Sequence, residues 1–284
     1  MTAKAILKQY WGYDAFRPMQ EEIIESVLGG NDTLALLPTG GGKSICFQVP
    51  GLMRDGICIV ISPLIALMKD QVEQLKKRKI PAAAIYSGMT RREIDFTLDN
   101  CVYGNIKFLY VSPERLKTDI FRERVQRMHV GLIAVDEAHC ISQWGYDFRP
   151  PYLEIAEFRA FFPDINIIAL TATATREVKQ DIQDKLAFRN GRLFQKSFAR
   201  ANLSYAVRSV EQKEKKLLQA LNNVPGTAVI YVRSRKRTQS IAAWLRKNQI
   251  SADYYHAGLD NQQRARKQDA WIQGNPRVIL ATNS

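Results

Sequence analysis

The sequence has no long apolar run. No stretch approaches the ~18 residues that a membrane-spanning helix needs, and Met1-Thr2-Ala3-Lys4-Ala5 does not open a secretory leader. A membrane protein is excluded on this reading, and a soluble, cytoplasmic one is expected. Cysteine is scarce. Cys46, Cys58, Cys101 and Cys140 form no CxxC pair, and only three histidines accompany them. That spacing argues against a structural zinc site and for reduced, packed thiols. A Pro- or Ser-rich linker and a short tandem repeat are also lacking. With 46% hydrophobic and 24% charged residues, disordered, collagen-like and low-complexity classes are excluded. Acidic residues are the remaining shortage, with 28 Asp and Glu against 41 Lys and Arg, a net charge of +13.

The 284 residues allow one large domain or two smaller ones. The basic excess lies in one part of the chain. Residues 1–199 carry 26 basic and 23 acidic side chains, whereas residues 200–284 carry 15 and 5. Either a polyanionic partner or a solvated basic surface accounts for that second segment.

Short apolar runs bounded by turn residues read as strands. They are Thr33–Leu37, Ile57–Ile61, Ala82–Tyr86, Phe108–Val111, Leu132–Val135 and Ile165–Leu170. Helix-like stretches such as Leu64–Lys77 and Glu114–Arg127 alternate with them, so βαβ units and a mostly parallel sheet are expected. The pattern lapses near Ser197–Ser204. A second α/β run then reads as strand Ala228–Val232, helix Lys236–Asn248, strand Ala252–His256, helix Asn261–Gln273 and strand Arg277–Thr282. This divides the chain into domains 1–200 and 201–284. The final strand is expected to lack a covering helix, which reads as an incomplete second domain.

In an open α/β sheet the ligand crevice lies at the carboxyl ends of the strands, and the informative residues follow the strands. Pro38-Thr39-Gly40-Gly41-Gly42-Lys43-Ser44 follows the first. Its glycines let successive N–H groups converge on phosphate oxygens at a helix start. Lys43 can bridge phosphates and Ser44 can ligate Mg²⁺. Leu37 stands where the strict motif wants glycine; a flexible glycine turn beside a surface lysine is the alternative. Asp136 and Glu137 follow a later strand. The first can hold a Mg²⁺ shell, and the second can deprotonate a water; on its own, such a pair could also be a helix-start acidic pair. Joined with the glycine run, they imply a P-loop nucleoside triphosphatase.

His139 is a structural or exposed histidine by default, or hydrogen-bonds Thr171 or Thr173 at the neighbouring strand end. The turns Ser62-Pro63, Ser87-Gly88 and Ser112-Pro113-Glu114 either bind backbone phosphates or cap helices. Next to the acidic pair, Cys140–Tyr152 gathers Trp144, Tyr146, Phe148, Tyr152 and Arg149. Such a loop can stack on single-strand bases, or it packs on its own domain.

With these residues in place, the chain resembles the RecQ family of DNA helicases, within helicase superfamily two. Tyr13–Gln20 resembles the family's adenine-recognition segment. Pro38–Ser44 resembles motif I, Ile61–Gln71 motif Ia, Asp136–His139 motif II and Leu170–Ala174 motif III. Val229–Thr238 resembles motif IV, Tyr255–Leu259 a second-domain segment, and Ile279–Asn283 the opening of motif V. The aromatic loop is the most specific mark.

The resemblance implies an α/β protein of two RecA-like P-loop lobes, with mostly parallel sheets flanked by helices and the second lobe truncated. It implies ATP and Mg²⁺ as cofactors, with ATP held between the lobes. It also implies 3′ to 5′ translocation on single-stranded and forked DNA in recombination and repair, by a monomer in the cytoplasm or nucleoid. Tyr13 would stack on adenine, and Arg17 and Gln20 would hydrogen-bond near it. Thr39, Gly40, Gly41, Gly42, Lys43 and Ser44 would cradle the phosphates, with Ser44 and Asp136 at the metal and Glu137 at the water. Trp144, Phe148 and Arg149 would couple DNA contact to hydrolysis.

Departures from the family pattern are Tyr146 in place of His, Pro151 in place of Glu, and Ala199 and Ala201 in place of Asp and Pro. Motif VI, with its γ-phosphate arginine, is not in these residues, so weak unwinding by this chain alone is expected. Two alternatives are an RNA-dependent DEAD/DEAH-box ATPase, which lacks such an aromatic loop, and a nucleotide- and DNA-binding fragment without catalysis.

Overall fold

Apolar runs of four to six residues, too short for helices, build most of the main sheet. The computed structural model describes residues 1–145, 147–197 and 202–282. It sets seven strands side by side. They are β1 (Thr33–Leu36), β2 (Ile57–Ile61), β3 (Ala82–Ile85), β4 (Phe108–Val111), β5 (Val130–Val135), β6 (Ile167–Thr171) and β7 (Arg192–Gln195). Their order is β3-β4-β2-β5-β6-β1-β7, and every neighbouring pair runs parallel.

Successive side chains point to opposite faces of a strand. Leu34, Ile59 and Ile133 therefore enter one core, while Ala35, Val60 and Ala134 enter the other. After α1 (Ala3–Trp11), three helices serve the second core: α2 (Gln20–Leu28), α3 (Ile45–Met53) and α4 (Ile65–Lys77). The first core takes α5 (Arg91–Tyr103), α6 (Asp119–Val125), α7 (Glu154–Ala160) and α8 (Arg176–Lys185). Both faces are thus covered, as a parallel sheet requires.

The continuous helix expected over 114–127 is broken. Pro113–Lys117 forms a 3-10 turn, Thr118 is extended, and α6 begins at Asp119. The Thr118 hydroxyl donates to the Arg115 carbonyl at 2.8 Å, a local bond that competes with the helical ladder.

At the amino end of the sheet, opposite the strand ends that carry the motifs, Arg159 meets Asp32 at 2.6 Å with both side chains almost fully buried. Arg159 also donates to the carbonyls of Leu186 and Ala187, and Asp32 accepts from the Ile167 N–H. These bonds fasten α7 and the end of α8 to the starts of β1 and β6.

The chain divides into two compact units, Met1–Arg200 and Ala201–Ser284. The second contains α9 (Lys213–Asn223), β8 (Ala228–Tyr231), α10 (Arg235–Lys247), β9 (Ala252–Tyr255), α11 (Asn261–Ile272) and β10 (Val278–Ala281). Its three strands are parallel in the order β8-β10-β9. The expectation of an uncovered closing strand is corrected here. β10 is the central strand, all four of its residues are buried, and Val278 and Leu280 join a core with Ile241 and Leu245 of α10. Of the departures from the family pattern, Tyr146, Ala199 and Ala201 lie outside the described residues, as does Asn283.

Candidate functional site

The glycine run leaves β1 and enters α3. Gly40 and Gly42 take φ of +77° and +78°, the left-handed region that side chains disfavour. A Cβ on Gly42 would also collide with the Gln20 side chain. Gln20 starts α2 and donates to the carbonyls of Gly42 at 3.0 Å and Gly41 at 3.4 Å. Arg17 donates to the Gly40 carbonyl at 2.5 Å, and its own N–H donates to Gln20 Oε1 at 2.9 Å. The structure therefore puts Arg17 and Gln20 on the glycine loop itself, where they hold its carbonyls, while the Gly41 N–H donates to the Pro38 carbonyl at 2.8 Å.

Two hollows meet at this loop. One, of about 230 Å³, is lined by Trp11, Tyr13, Ala15, Arg17, Gln20, Gly42 and Ile45. It is narrow, flanked by aromatic rings and backed by amide and guanidinium groups, with Tyr13 53% exposed. The other, of about 340 Å³, is lined by Thr39, Gly40, Gly42, Lys43, Ser44, Asp136 and Glu137. Phe47, Ser62, Leu67, Met68, Gln71 and Tyr110 complete it. Sequence reasoning did not single out Trp11, Gln71 or Tyr110. Their signal was position, because Tyr110 lies near the end of β4 and Gln71 on the helix after β2.

Asp136 and Glu137 follow β5. They precede a 3-10 turn, Ala138–Ile141, rather than an α-helix. Glu137 sits at φ 45° and ψ 45°, an uncommon region for a side chain that marks local strain. That bend lets its N–H donate to Asp136 Oδ1 at 3.0 Å. Burial pushes the Asp136 carboxyl up to about 6, and the Glu137 charge adds to the rise. The Glu137 N–H and the Lys43 ammonium oppose it.

This donor set fits Mg²⁺. The ion commonly takes one or two protein oxygens and fills its octahedron with waters and phosphate oxygens. Ser44 and Asp136 line the same hollow as Lys43, so a larger protein cage is not needed. Among the described residues, no group of three His, Cys, Asp or Glu could hold a metal ion. The four cysteines are buried and form no disulfide.

His139 contacts Thr171, one of the two partners foreseen. Its Nδ1 lies 2.9 Å from Thr171 Oγ1 and 3.3 Å from Glu137 Oε2. The Thr171 hydroxyl donates to the Thr173 carbonyl at 3.0 Å, so its oxygen accepts and His139 Nδ1 carries the hydrogen. Burial lowers the His139 pKa, with Glu137 and Asp147 opposing.

The aromatic loop is tied down at several points. Tyr152 is buried, and its hydroxyl donates to the Asp136 carbonyl at 2.8 Å. Arg149 pairs with Asp147 at 2.8 Å and donates to the Pro63 carbonyl at 3.2 Å. Trp144 is 74% exposed and, with His139, Gly145, Ala172–Thr175 and Val178, lines a mostly apolar hollow of about 270 Å³. Phe148 is half-buried. Trp144 and Arg149 thus lie against different strand ends, β6 and β2, rather than forming one cluster. Pro151, one departure from the family pattern, sits in a 3-10 turn.

A parallel sheet with a glycine-lysine loop and an acidic pair at its carboxyl edge defines the P-loop nucleoside triphosphatase class. A model of the DEAD/DEAH box helicase family matches residues 17–181, and one of the helicase conserved C-terminal domain matches residues 212–284. The chain belongs to the DEAD/DEAH box helicase family, and nearly its whole length is RecQ-like. It is similar to the ATP-dependent DNA helicase RecQ of Haemophilus influenzae, with 42% identity over 99% of this chain and 46% of that protein. Against the Bacillus subtilis RecQ, identity is 41% over 99% of this chain and 48% of that protein. The chain therefore spans about half the length of these relatives. In fold it is similar to the helicase MrfA bound to DNA. The TM-score is 0.77 at 17% identity, covering 99% of this chain and 44% of that one. Among the described residues, no helix is long and apolar enough to cross a membrane.

Proposed function

We propose that the chain is the motor core of a RecQ-type ATP-dependent DNA helicase. It hydrolyses ATP and steps 3′ to 5′ along single-stranded DNA, acting at forked DNA in recombination and repair, in the cytoplasm or nucleoid, as a monomer. One observation carries the reading. The acidic pair and the aromatic loop share a single 3-10 turn, bridged by His139 to Thr171 and by Tyr152 to Asp136. Movement of the loop on DNA is thereby transmitted to the groups that face the phosphates.

The residues divide the work as follows. Tyr13 offers a ring face to the adenine, with Arg17 and Gln20 behind it. The backbone of Gly40, Gly41 and Gly42 and the hydroxyl-bearing Thr39 surround the phosphates, the Gly41 N–H turning to them from the Pro38 carbonyl it bonds in this structure. Lys43 holds positive charge where negative charge grows in the transition state. Ser44 and Asp136 hold Mg²⁺, which when bound supplies charge neutralisation at the phosphates. Glu137 orients a water and takes its proton. Trp144, Phe148 and Arg149 meet the strand, and the basic residues of 200–284 follow its phosphates. Since the relatives are about twice as long, sustained unwinding is assigned to the whole protein, and this chain alone unwinds weakly.

The test is strand displacement together with turnover. The chain is offered duplexes with 3′ or 5′ tails, and single-stranded DNA or RNA as activators. The reading predicts DNA-stimulated hydrolysis and whatever displacement occurs on 3′-tailed duplexes only. Preferential activation by RNA would favour the DEAD/DEAH-box alternative. Binding of nucleotide and DNA without turnover would leave a non-catalytic module.

A further inference from the structure

The root of the aromatic loop is held from outside the loop. Ser142 is fully buried, which is costly for a hydroxyl unless its bonds are made. Both are made. Its Oγ donates to Asp181 Oδ2 at 2.7 Å and accepts from the Trp144 N–H at 3.2 Å. Asp181 lies on α8, one turn beyond Val178, which lines the hollow beside Trp144. Asp181 is itself fixed, because Lys185 Nζ donates to the same Oδ2 at 2.9 Å and reaches the Ile141 carbonyl at 3.4 Å. Helix α8 thus supplies both part of the wall of the hollow that Trp144 lines and the charged group that anchors its backbone.

We propose that Asp181 is a positioning residue of the DNA-coupling loop. Through Ser142 it fixes the backbone at Trp144, so that displacement of Trp144 by a strand moves the 3-10 turn bearing His139 instead of being absorbed by local slack. The inference rests on the coupling role given to Trp144 above. A bond from a neutral hydroxyl to a carboxylate is among the stronger hydrogen bonds. The sequence gives no sign of it, since Ser142 and Asp181 are far apart along the chain and neither belongs to a nucleotide motif.

The test uses this chain and its Asp181→Ala, Ser142→Ala, doubly substituted and Asp181→Asn variants, with two readouts. The first needs no DNA. The Trp144 contribution to fluorescence anisotropy is taken as the difference between each protein and its Trp144→Phe counterpart. It should fall in Asp181→Ala and Ser142→Ala, and recover in part in Asp181→Asn, which keeps an acceptor for Ser142. The second is ATP turnover with and without single-stranded DNA. Asp181→Ala should keep its DNA-free turnover and lose about tenfold in maximal DNA stimulation. The double variant should be no worse than either single one, because both break one connection.

Unchanged Trp144 anisotropy in Asp181→Ala overturns the inference, whatever the turnover shows. Equal loss of DNA-free and DNA-stimulated turnover also overturns it, because Asp181 would then serve folding alone. If the unsubstituted chain shows no DNA stimulation, the coupling role of Trp144 fails, while the anisotropy still decides whether Asp181 positions the loop.

Discussion

His139 Nδ1 lies 2.9 Å from the Thr171 hydroxyl, joining the turn after β5 to the end of β6. Because the Thr171 proton is given to the Thr173 carbonyl, the histidine is the donor. Its ring therefore reports the position of Ala172–Thr175, the segment that lines the hollow beside Trp144. Replacing His139 by Ala should reduce DNA-stimulated turnover by about tenfold or more, on the scale of a lost buried hydrogen bond, with nucleotide affinity changed less than about twofold. Thr171→Val should do the same, and the double variant should be no worse. Steady-state turnover with and without single-stranded DNA, beside titration with a fluorescent ATP analogue, checks this.

Asp136 illustrates a cost built into the site. Its carboxyl pKa is raised from the usual 3.8 to about 6 by burial and by Glu137. The folded chain therefore binds this proton more tightly than the unfolded chain, so the contribution of Asp136 to stability is most favourable below about pH 4 and falls as pH rises through 6. At neutral pH the penalty is about 3 kcal/mol. In the absence of divalent cations, Asp136→Asn should raise the unfolding free energy of the first unit by about 2–3 kcal/mol at pH 8, and by progressively less toward pH 4. It should also abolish Mg²⁺-dependent turnover. Urea unfolding at the two pH values is the measurement, and a destabilised Asn variant at pH 8 would contradict this.

The Asp32–Arg159 pair predicts the opposite balance. Both side chains are almost fully buried and hydrogen-bonded. Arg159→Ala removes the cation from buried Asp32 and leaves it only backbone N–H donors such as that of Ile167, and should cost about 3–5 kcal/mol. Replacing both with apolar residues of similar volume should cost much less. Chemical unfolding of the single and double variants decides it.

Gly42→Ala tests the loop geometry. Alanine at φ +78° costs about 1–2 kcal/mol, and its Cβ meets the Gln20 amide, which holds the loop carbonyls. ATP affinity should fall at least about tenfold with little change in far-UV circular dichroism. Shortening Gln20 to Ala in the same chain should relieve the collision but not restore affinity, because the backbone cost and the lost amide bonds remain.

Much of the site was readable because its residues follow strands. Lys43, Ser44, Asp136 and Glu137 each lie just beyond an apolar run, and a parallel sheet brings such positions to one edge without any knowledge of long-range pairing. Strand limits moved by a residue or two; β5, for example, begins at Val130 rather than Leu132. Contacts set by tertiary packing were not readable. That Arg17 and Gln20 grip the glycine loop depends on the left-handed backbone at Met19, just before α2. That Tyr152 caps Asp136 depends on the path of an irregular loop. β7, with only one of its four residues even half-buried, carries no apolar run to mark it. The break at Thr118 goes with local bonds, among them its hydroxyl on the Arg115 carbonyl, that an apolar pattern does not show.

The central claim is that this chain couples ATP hydrolysis at the glycine loop to DNA held at the aromatic loop. The most direct test is ATP turnover by the chain in Mg²⁺, with and without single-stranded DNA, alongside Lys43→Ala. The claim predicts turnover that DNA raises severalfold or more and that Lys43→Ala abolishes. Turnover indifferent to DNA, or unchanged in Lys43→Ala, would contradict it.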